Sequence, residues 1–144
     1  MDIEDQVCSL ELAKRLKELG VRQNSVWYWY DGVLTIKTHG NNLLAGTDFY
    51  PIRSLGDGEL VSAFTVAELG NMLAEVKREW NPHDRVKFPA YYIGQSGTEN
   101  GWDVVSPWKT AVASEKEADS RAKLLEFWIE NIKLTGIVVS WLNP

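Results

Sequence analysis

Apolar residues recur every three or four positions in three segments of the chain, a spacing typical of amphipathic helices. The first segment follows Ser9, a favoured N-cap residue. The second begins at Thr65 and Glu68 and the third at Ser114 and Glu117, two pairs with the spacing of a capping box. Three helices are therefore predicted. Their apolar stripes are Leu10, Ala13 and Leu16; Val66, Leu69, Leu73, Val76 and Trp80; and Ala118, Ala122, Leu125, Ile129 and Ile132.

Strict alternation replaces the helical spacing between positions 26 and 37. Two β-prone runs flank Asp31-Gly32, a pair that favours a two-residue hairpin turn because both residues must adopt a positive φ. The turn sets the register of the hairpin, and the register predicts its two faces. One face is apolar, with Trp27, Trp29, Leu34 and Ile36, and the other is amphipathic, with Val26, Tyr28, Tyr30, Val33, Thr35 and Lys37.

Three further segments complete the predicted fold. Residues 88–93 and 102–108 are predicted to form a second hairpin, and 137–142 a short last strand. Residues 38–63 hold no clear element, and a loop of that length is either functional or contains short strands. Helices and hairpins are mixed without a βαβ rhythm, which predicts an α+β fold. We expect a single domain over residues 1–144, with an antiparallel sheet of two hairpins plus a short C-terminal strand packed against three amphipathic helices.

Composition and charge limit the classes of function. A chain of 144 residues that is 44% hydrophobic can bury a core. Its net charge of −5 has the same sign as a phosphate backbone, which disfavours nucleic acid as a partner. The first residues are acidic, unlike a signal peptide, and no apolar run is long enough to span a bilayer. The single cysteine, Cys8, cannot form an internal disulfide, so we expect a cytoplasmic protein with no membrane association.

Few residues suggest catalytic chemistry. With one cysteine and two histidines the chain lacks the usual zinc-ligand patterns, and we expect no metal and no cofactor. His83-Asp84 is the only local ligand pair and is expected to form a turn. Cys8 precedes the first helix, where a small buried hydrophobe is expected rather than a nucleophile. An enzyme that uses paired carboxylates stays open as an alternative, because none of the twenty acids is singled out.

Residues 12–21 have the pattern of the first helix and turn of a helix-turn-helix, which raises a second alternative, a transcriptional regulator. The next segment of that motif is a recognition helix with polar and basic residues. Here the next segment is β-branched and aromatic and ends at Asp31-Gly32. Together with the negative net charge, this argues against DNA binding.

The unusual feature of the composition is its seven tryptophans. Four lie on predicted apolar stripes and are expected in the core: Trp27, Trp29, Trp80 and Trp128. Other rings lie on mixed faces, where flat side chains with polar tips beside a lysine suit base stacking or a protein interface. The candidate ligand- or partner-binding residues are Tyr28, Tyr30, Lys37, Tyr91, Tyr92 and Trp102.

Three blocks of the sequence, 8–21, 63–70 and 117–125, resemble in order and in residues a family of small uncharacterised proteins encoded by phages, prophages and mobile elements. The blocks coincide with the three predicted helix starts, so they indicate structure rather than catalysis. The family has no established activity, and no functional residue is carried over. The chain departs from the family pattern in 132–144 and in its middle loop, where a specialised role is expected.

The resemblance implies a non-enzymatic binding protein that acts in the bacterial cytoplasm, with counter-defence as its setting. Small acidic phage proteins of this kind block a host protein or sequester a nucleotide-type signalling molecule. Both partner classes stay open at this point, and so does a homo-oligomer.

Overall fold

The chain adopts an α+β fold in the computed structural model, which describes residues 2–38, 42–46, 48–51, 59–79, 92–95, 102–106, 109–114 and 116–143. This confirms the fold class expected from the mixture of helical and alternating patterns. The helices are α1 (Leu10–Glu18), α2 (Val66–Glu79) and α3 (Glu117–Thr135), preceded by a 3-10 turn at Ile3–Asp5. The strands are β1 (Trp27–Tyr30), β2 (Val33–Thr38), β3 (Asn42–Ala45), β4 (Asp48–Pro51), β5 (Leu60–Ser62), β6 (Tyr92–Gln95), β7 (Trp102–Ser106) and β8 (Lys109–Ser114).

The first hairpin has the predicted register. Trp29 lies opposite Leu34 and Tyr28 opposite Thr35 in the antiparallel pair of β1 and β2. The turn residues Asp31 and Gly32 have φ values of 46° and 82°, the positive values that a two-residue turn requires.

The strands form two antiparallel sheets where one was expected. The order in the larger sheet is β4-β3-β2-β1-β5, and in the smaller sheet β6-β7-β8. Strands β3, β4 and β5 all lie within 38–63, so this region contains the short strands that its length allowed. The predicted C-terminal strand is reduced to one isolated bridge, between Leu142 and Val21.

The helix boundaries test the capping predictions individually. Thr65 and Glu68 form the predicted capping box: Glu68 N donates to Thr65 Oγ1 at 3.1 Å, and Thr65 N donates to Glu68 Oε1 at 2.9 Å. The capping box predicted at Ser114 is wrong, because Ser114 ends β8 and α3 starts at Glu117 after an N-cap Lys116. The strand continues through Ser114 because it pairs there with Trp102 of β7.

The starts of the three helices meet at residues 6–9, and we call this region the helix-start junction. Cys8 N donates to Phe64 O at 2.9 Å, and Val7 pairs with Thr65 in a β-bridge at the start of α2. Ser9 N donates to the Asp119 Oδ1 atom of α3 at 2.6 Å. The ammonium of Lys116 donates to the carbonyls of Glu4 and Val7, each at 3.0 Å.

The main core lies between the three helices and β5. Farther along α1 and α3, Arg15 Nε donates to Glu126 Oε1 at 2.9 Å, so these two helices run side by side in the same direction. Helix α3 also packs against all three strands of the smaller sheet. The largest fully buried side chains of the core are Trp128, Phe64, Leu16, Leu69, Leu73, Leu125, Ile129 and Ile132.

Candidate functional site

Tyr28, the first candidate residue, lies inside the protein. Its side chain is 5% exposed, and its hydroxyl accepts a hydrogen bond from Ser25 N at 3.3 Å and donates one to Gln23 O at 3.4 Å. The Gln23 side chain in turn accepts a bond from Ser62 N at 2.8 Å. The segment between α1 and β1 therefore folds over this face of the sheet, and the Tyr28 ring offers no open stacking surface.

Tyr30 and Lys37 lie at opposite ends of the same hairpin. Tyr30 is half-buried beside the turn, opposite Val33, whereas Lys37 is exposed near the far end of β2. Lys37 lies four positions after Val33 along β2, a distance of about 13 Å at the usual rise of a β-strand. The two residues therefore lie at opposite ends of one face of the hairpin, and their joint role as a platform stays a prediction.

Lys37 lines a shallow cavity of about 440 Å³ with Ser25, Val26 and Thr38. Both hydroxyls in this cavity already donate to backbone carbonyls: Ser25 Oγ to Trp27 O at 2.6 Å, and Thr38 Oγ1 to Asn42 O at 3.2 Å. A hydroxyl that donates elsewhere presents only lone pairs, which an anion cannot use. The Lys37 ammonium is the cation of this cavity.

The remaining candidates belong to the second hairpin. Tyr91 lies outside the described residues. The register places Tyr92 opposite Val105 and Trp102 opposite Gln95, at the two ends of the β6–β7 pair, and the side chains of both lie outside the described part of the chain.

A groove of about 530 Å³ lies where α1 and α3 end. Each helix is followed by a glycine with a positive φ, 97° at Gly20 and 76° at Gly136, a conformation in which other residues are strained. After Gly136 the chain turns back along the end of α1. There Arg22 N donates to Trp141 O at 2.7 Å, and Asn143 N donates to Gly20 O at 2.8 Å.

The far side of this returning segment is anchored to α2. The Trp141 ring is 7% exposed, and its Nε1 donates to Met72 O at 3.2 Å. Ser140 donates to Glu75 Oε2 from its backbone N at 3.1 Å and from its hydroxyl at 3.0 Å. These bonds hold the wall of the groove in place while Val138, three residues before Trp141, is exposed to solvent.

The groove combines an apolar lining with charged edges. Val138 is 85% exposed beside it, and Leu134, in the last turn of α3, is 76% exposed. Large apolar side chains this exposed often mark an interaction surface when they adjoin a concave site. The apolar lining is Leu19, Ile132, Ile137, Val138, Val139 and Leu142, and the charged residues are Glu18, Arg22 and Lys133.

Tyr28, Tyr30 and Lys37, the candidate residues whose side chains the structure describes, do not line this groove. A sequence signal was present, because Val138 lies in the apolar run Ile137-Val138-Val139 within 132–144, the segment expected to hold a specialised role. That run indicated a strand, and its exposure became visible only in the folded chain.

The titratable groups bear on the enzyme alternative. Cys8 is fully buried, and burial raises the pKa of its thiol to about 12, so it stays protonated at neutral pH. Within the described ranges, no three His, Cys, Asp or Glu residues are grouped as metal ligands would be. His39 and the pair His83-Asp84 lie outside the described residues.

The helix-turn-helix pattern does not continue in the structure. Residues 20–38 are all described, and α1 is followed by β1 and β2 rather than by a second helix. The element that would enter a major groove is therefore missing after α1.

Among the described residues, no helix has the length and apolar character needed to cross a membrane. No protein-family model, curated protein or solved structure matches this chain. The resemblance to phage-encoded proteins therefore stays a prediction from the sequence.

Proposed function

We propose that this chain is a non-enzymatic binding protein of phage or mobile-element origin that blocks a host protein in a counter-defence setting. The observation that carries the proposal is the groove at the ends of α1 and α3, with Val138 exposed in its lining. Its wall is fixed by the Trp141 and Ser140 bonds to α2, so the groove is largely preformed. A preformed concave surface with an apolar lining and a few charges favours the formation of a stable complex.

The location of the groove agrees with the sequence comparison. Most of its lining lies within 132–144, the segment expected to depart from the family pattern, and the rest is the end of α1 with Arg22. The bond from Ser9 N to Asp119 joins two of the family-like blocks at the other end of these helices. A shared scaffold with a distinctive end is the arrangement expected of proteins that share a fold and differ in partner.

The test compares capture of host proteins by the tagged wild type and by Val138→Glu. Val33→Glu is the matched control, since Val33 is an apolar residue that is 49% exposed on the first hairpin, away from the groove. We expect the wild type and Val33→Glu to capture one host protein in equal amounts. The amount captured by Val138→Glu should be at least tenfold lower. Circular dichroism and thermal melting verify that all three proteins are equally folded.

Equal capture by all three proteins would mean that the partner binds outside the groove. No specific capture, together with turnover of a substrate by the wild type, would replace this proposal with the carboxylate enzyme.

Sequestration of a nucleotide-type molecule is the second candidate, supported by Lys37 and its cavity. The two hydroxyls of that cavity are engaged as donors, which leaves one ammonium to bind a phosphate. A panel of cyclic nucleotides, followed by tryptophan fluorescence and repeated with Lys37→Gln, tests it directly. Saturable quenching that Lys37→Gln abolishes would favour this candidate over protein blocking.

A further inference from the structure

The charges around the groove are not balanced. Arg22 and Lys133 are both exposed, and neither side chain forms an ion pair with any residue that the structure describes. The one acid of the groove, Glu18, lies 3.5 Å from the Arg15 guanidinium. In a protein with a net charge of −5, this edge is locally positive.

The helix ends do not require both cations. The carbonyls in the last turn of α1 accept bonds from Leu19, Gly20 and Val21, and the Ile132 carbonyl of α3 accepts one from Gly136. Lys133 lies in the last turn of α3, where a helix dipole favours a cation. Arg22 lies beyond α1 in the returning chain, and its backbone N is fixed by the bond to Trp141 O.

We propose that the groove recognises a segment of the partner protein that carries apolar side chains together with carboxylates. The apolar lining removes the partner's apolar side chains from water, and the carboxylates pair with Arg22 and Lys133 at the edge. This inference rests on the proposed function and adds the chemistry of the partner to it.

A protein segment fits these observations better than a small anion. Six apolar residues line the groove and one of them, Val138, is 85% exposed, which gives a chain with apolar side chains more to contact than a single anion could have. An arginine guanidinium also favours carboxylates geometrically, because its planar fork can donate two parallel bonds. Charge pairing at such a rim raises association rates and selects the partner's sign more than it adds affinity.

The test uses three short blocked peptides and ¹⁵N-labelled protein. The first peptide alternates leucine and glutamate, the second leucine and lysine, and the third serine and glutamate. We expect only the first to shift the backbone amide signals of Gly20, Arg22, Gly136 and Val138 in a saturable way. Raising the salt to about 1 M, where the Debye length is about 3 Å, should weaken this binding.

The variant pair separates charge recognition from apolar contact. Arg22→Gln combined with Lys133→Gln should weaken binding of the leucine–glutamate peptide roughly three- to tenfold, the loss of two exposed ion pairs. Arg78→Gln is the matched control, because Arg78 is an exposed cation at the end of α2 and does not line the groove. It should bind the peptide as the wild type does.

The inference is overturned if the leucine–lysine peptide binds equally well, if no peptide shifts the groove signals, or if the double variant binds like the wild type. Capture of a host protein that depends on Val138 would in any of these cases leave the proposed function standing. If neither the peptide binding nor the Val138-dependent capture is observed, both the proposed function and the inference are contradicted.

Discussion

The two ends of α1 and α3 differ in how fully their polar groups are paired. At the helix-start junction, Ser9 N, Cys8 N and the Lys116 ammonium all bind partners in other elements. At the groove, two cations have no ion pair with described residues and Val138 is 85% exposed. The same helices are therefore closed at one end and open at the other.

This difference shows where stability and binding are separated in the molecule. The junction joins segments more than 100 positions apart through partly buried bonds, so changes there should destabilise the fold. The surface of the groove should tolerate substitution in the free protein, because its exposed side chains contribute little to the core. Three predictions test this contrast and a fourth tests the packing of α2 against α3, in order of decreasing effect.

Trp141→Ala should have the largest effect, since the groove wall depends on this one buried ring. Removing it deletes a 7% exposed indole and its bond to Met72 O, and we expect the free energy of unfolding to fall by about 3–5 kcal/mol. Urea unfolding measures the change. The matched control is Val138→Ala, three residues away, which should change stability by less than about 0.5 kcal/mol. Similar losses for the two variants would contradict the anchoring role of Trp141.

The alkylation rate of the Cys8 thiol measures how well the helix-start junction excludes solvent. Because burial raises its pKa to about 12, the thiolate fraction at pH 8 should be roughly a thousandfold below that of an exposed cysteine. We expect alkylation of the native protein to be slower than alkylation in denaturant by about that factor. The sign follows from the raised pKa: the protonated thiol favours the folded state, and this preference is lost as the pH rises from about 9 toward 12. Rapid labelling of the native protein at pH 8 would show that the junction opens.

Asp119→Ala removes the charged acceptor of Ser9 N. Hydrogen bonds to charged groups contribute about 1.5–3 kcal/mol, so unfolding in urea should become easier by about that amount. Asp119→Asn keeps an acceptor oxygen and should recover part of the loss. Glu130→Ala, at an exposed acid on the same helix, is the control and should be nearly silent. An Asp119→Ala protein as stable as the control would mean that the junction does not depend on this bond.

Gly70 and Arg121 should show coupled effects on stability. A side chain at Gly70 would collide with the Arg121 guanidinium, which pairs with Glu117 at 3.1 Å. Glycine to alanine inside a helix normally stabilises by about 1 kcal/mol. The guanidinium can move, at the cost of its bond to Glu117, so we expect Gly70→Ala to gain less in the wild type than in Arg121→Ala, with a coupling energy of about 0.5–1 kcal/mol in a double-mutant cycle. Additive effects of the two substitutions would rule out the contact.

The Gly70–Arg121 contact also explains two of the family-like blocks. Gly70 ends the block 63–70, and Arg121 lies within the block 117–125. A glycine in the middle of α2 has no local purpose, since the helix continues through it to Glu79. The absence of a side chain at Gly70 leaves room for Arg121 of α3, and only the packed structure shows this.

Local signals in the sequence predicted much of the fold correctly. The Asp31-Gly32 turn predicted the hairpin register, and Thr65 with Glu68 predicted the start of α2. The Ser114 cap failed because strand pairing with Trp102 extended β8 through a residue that suits a cap equally well. A capping pattern involves only four neighbouring residues and contains no information about a strand partner elsewhere in the chain.

The candidate site was predicted less well, for a related reason. Alternation in the first hairpin separated its two faces correctly but gave no indication of what covers each face. Tyr28 is buried because the segment carrying Gln23 and Ser25 folds over it. The groove depends on the ends of two helices that are more than 110 positions apart, which no local pattern contains.

The sequence by itself determined the three helical segments, the turn chemistry of the first hairpin and the α+β class, because each depends on residues a few positions apart. The tertiary structure decided that the helix starts are tied together and the helix ends left open. The contact of Ser9 with Asp119 at the helix starts and that of Arg22 with Trp141 beside the groove form only when distant segments pack. Exposure of Val138 is likewise a property of the packed chain, since the same apolar run would be equally at home in a strand.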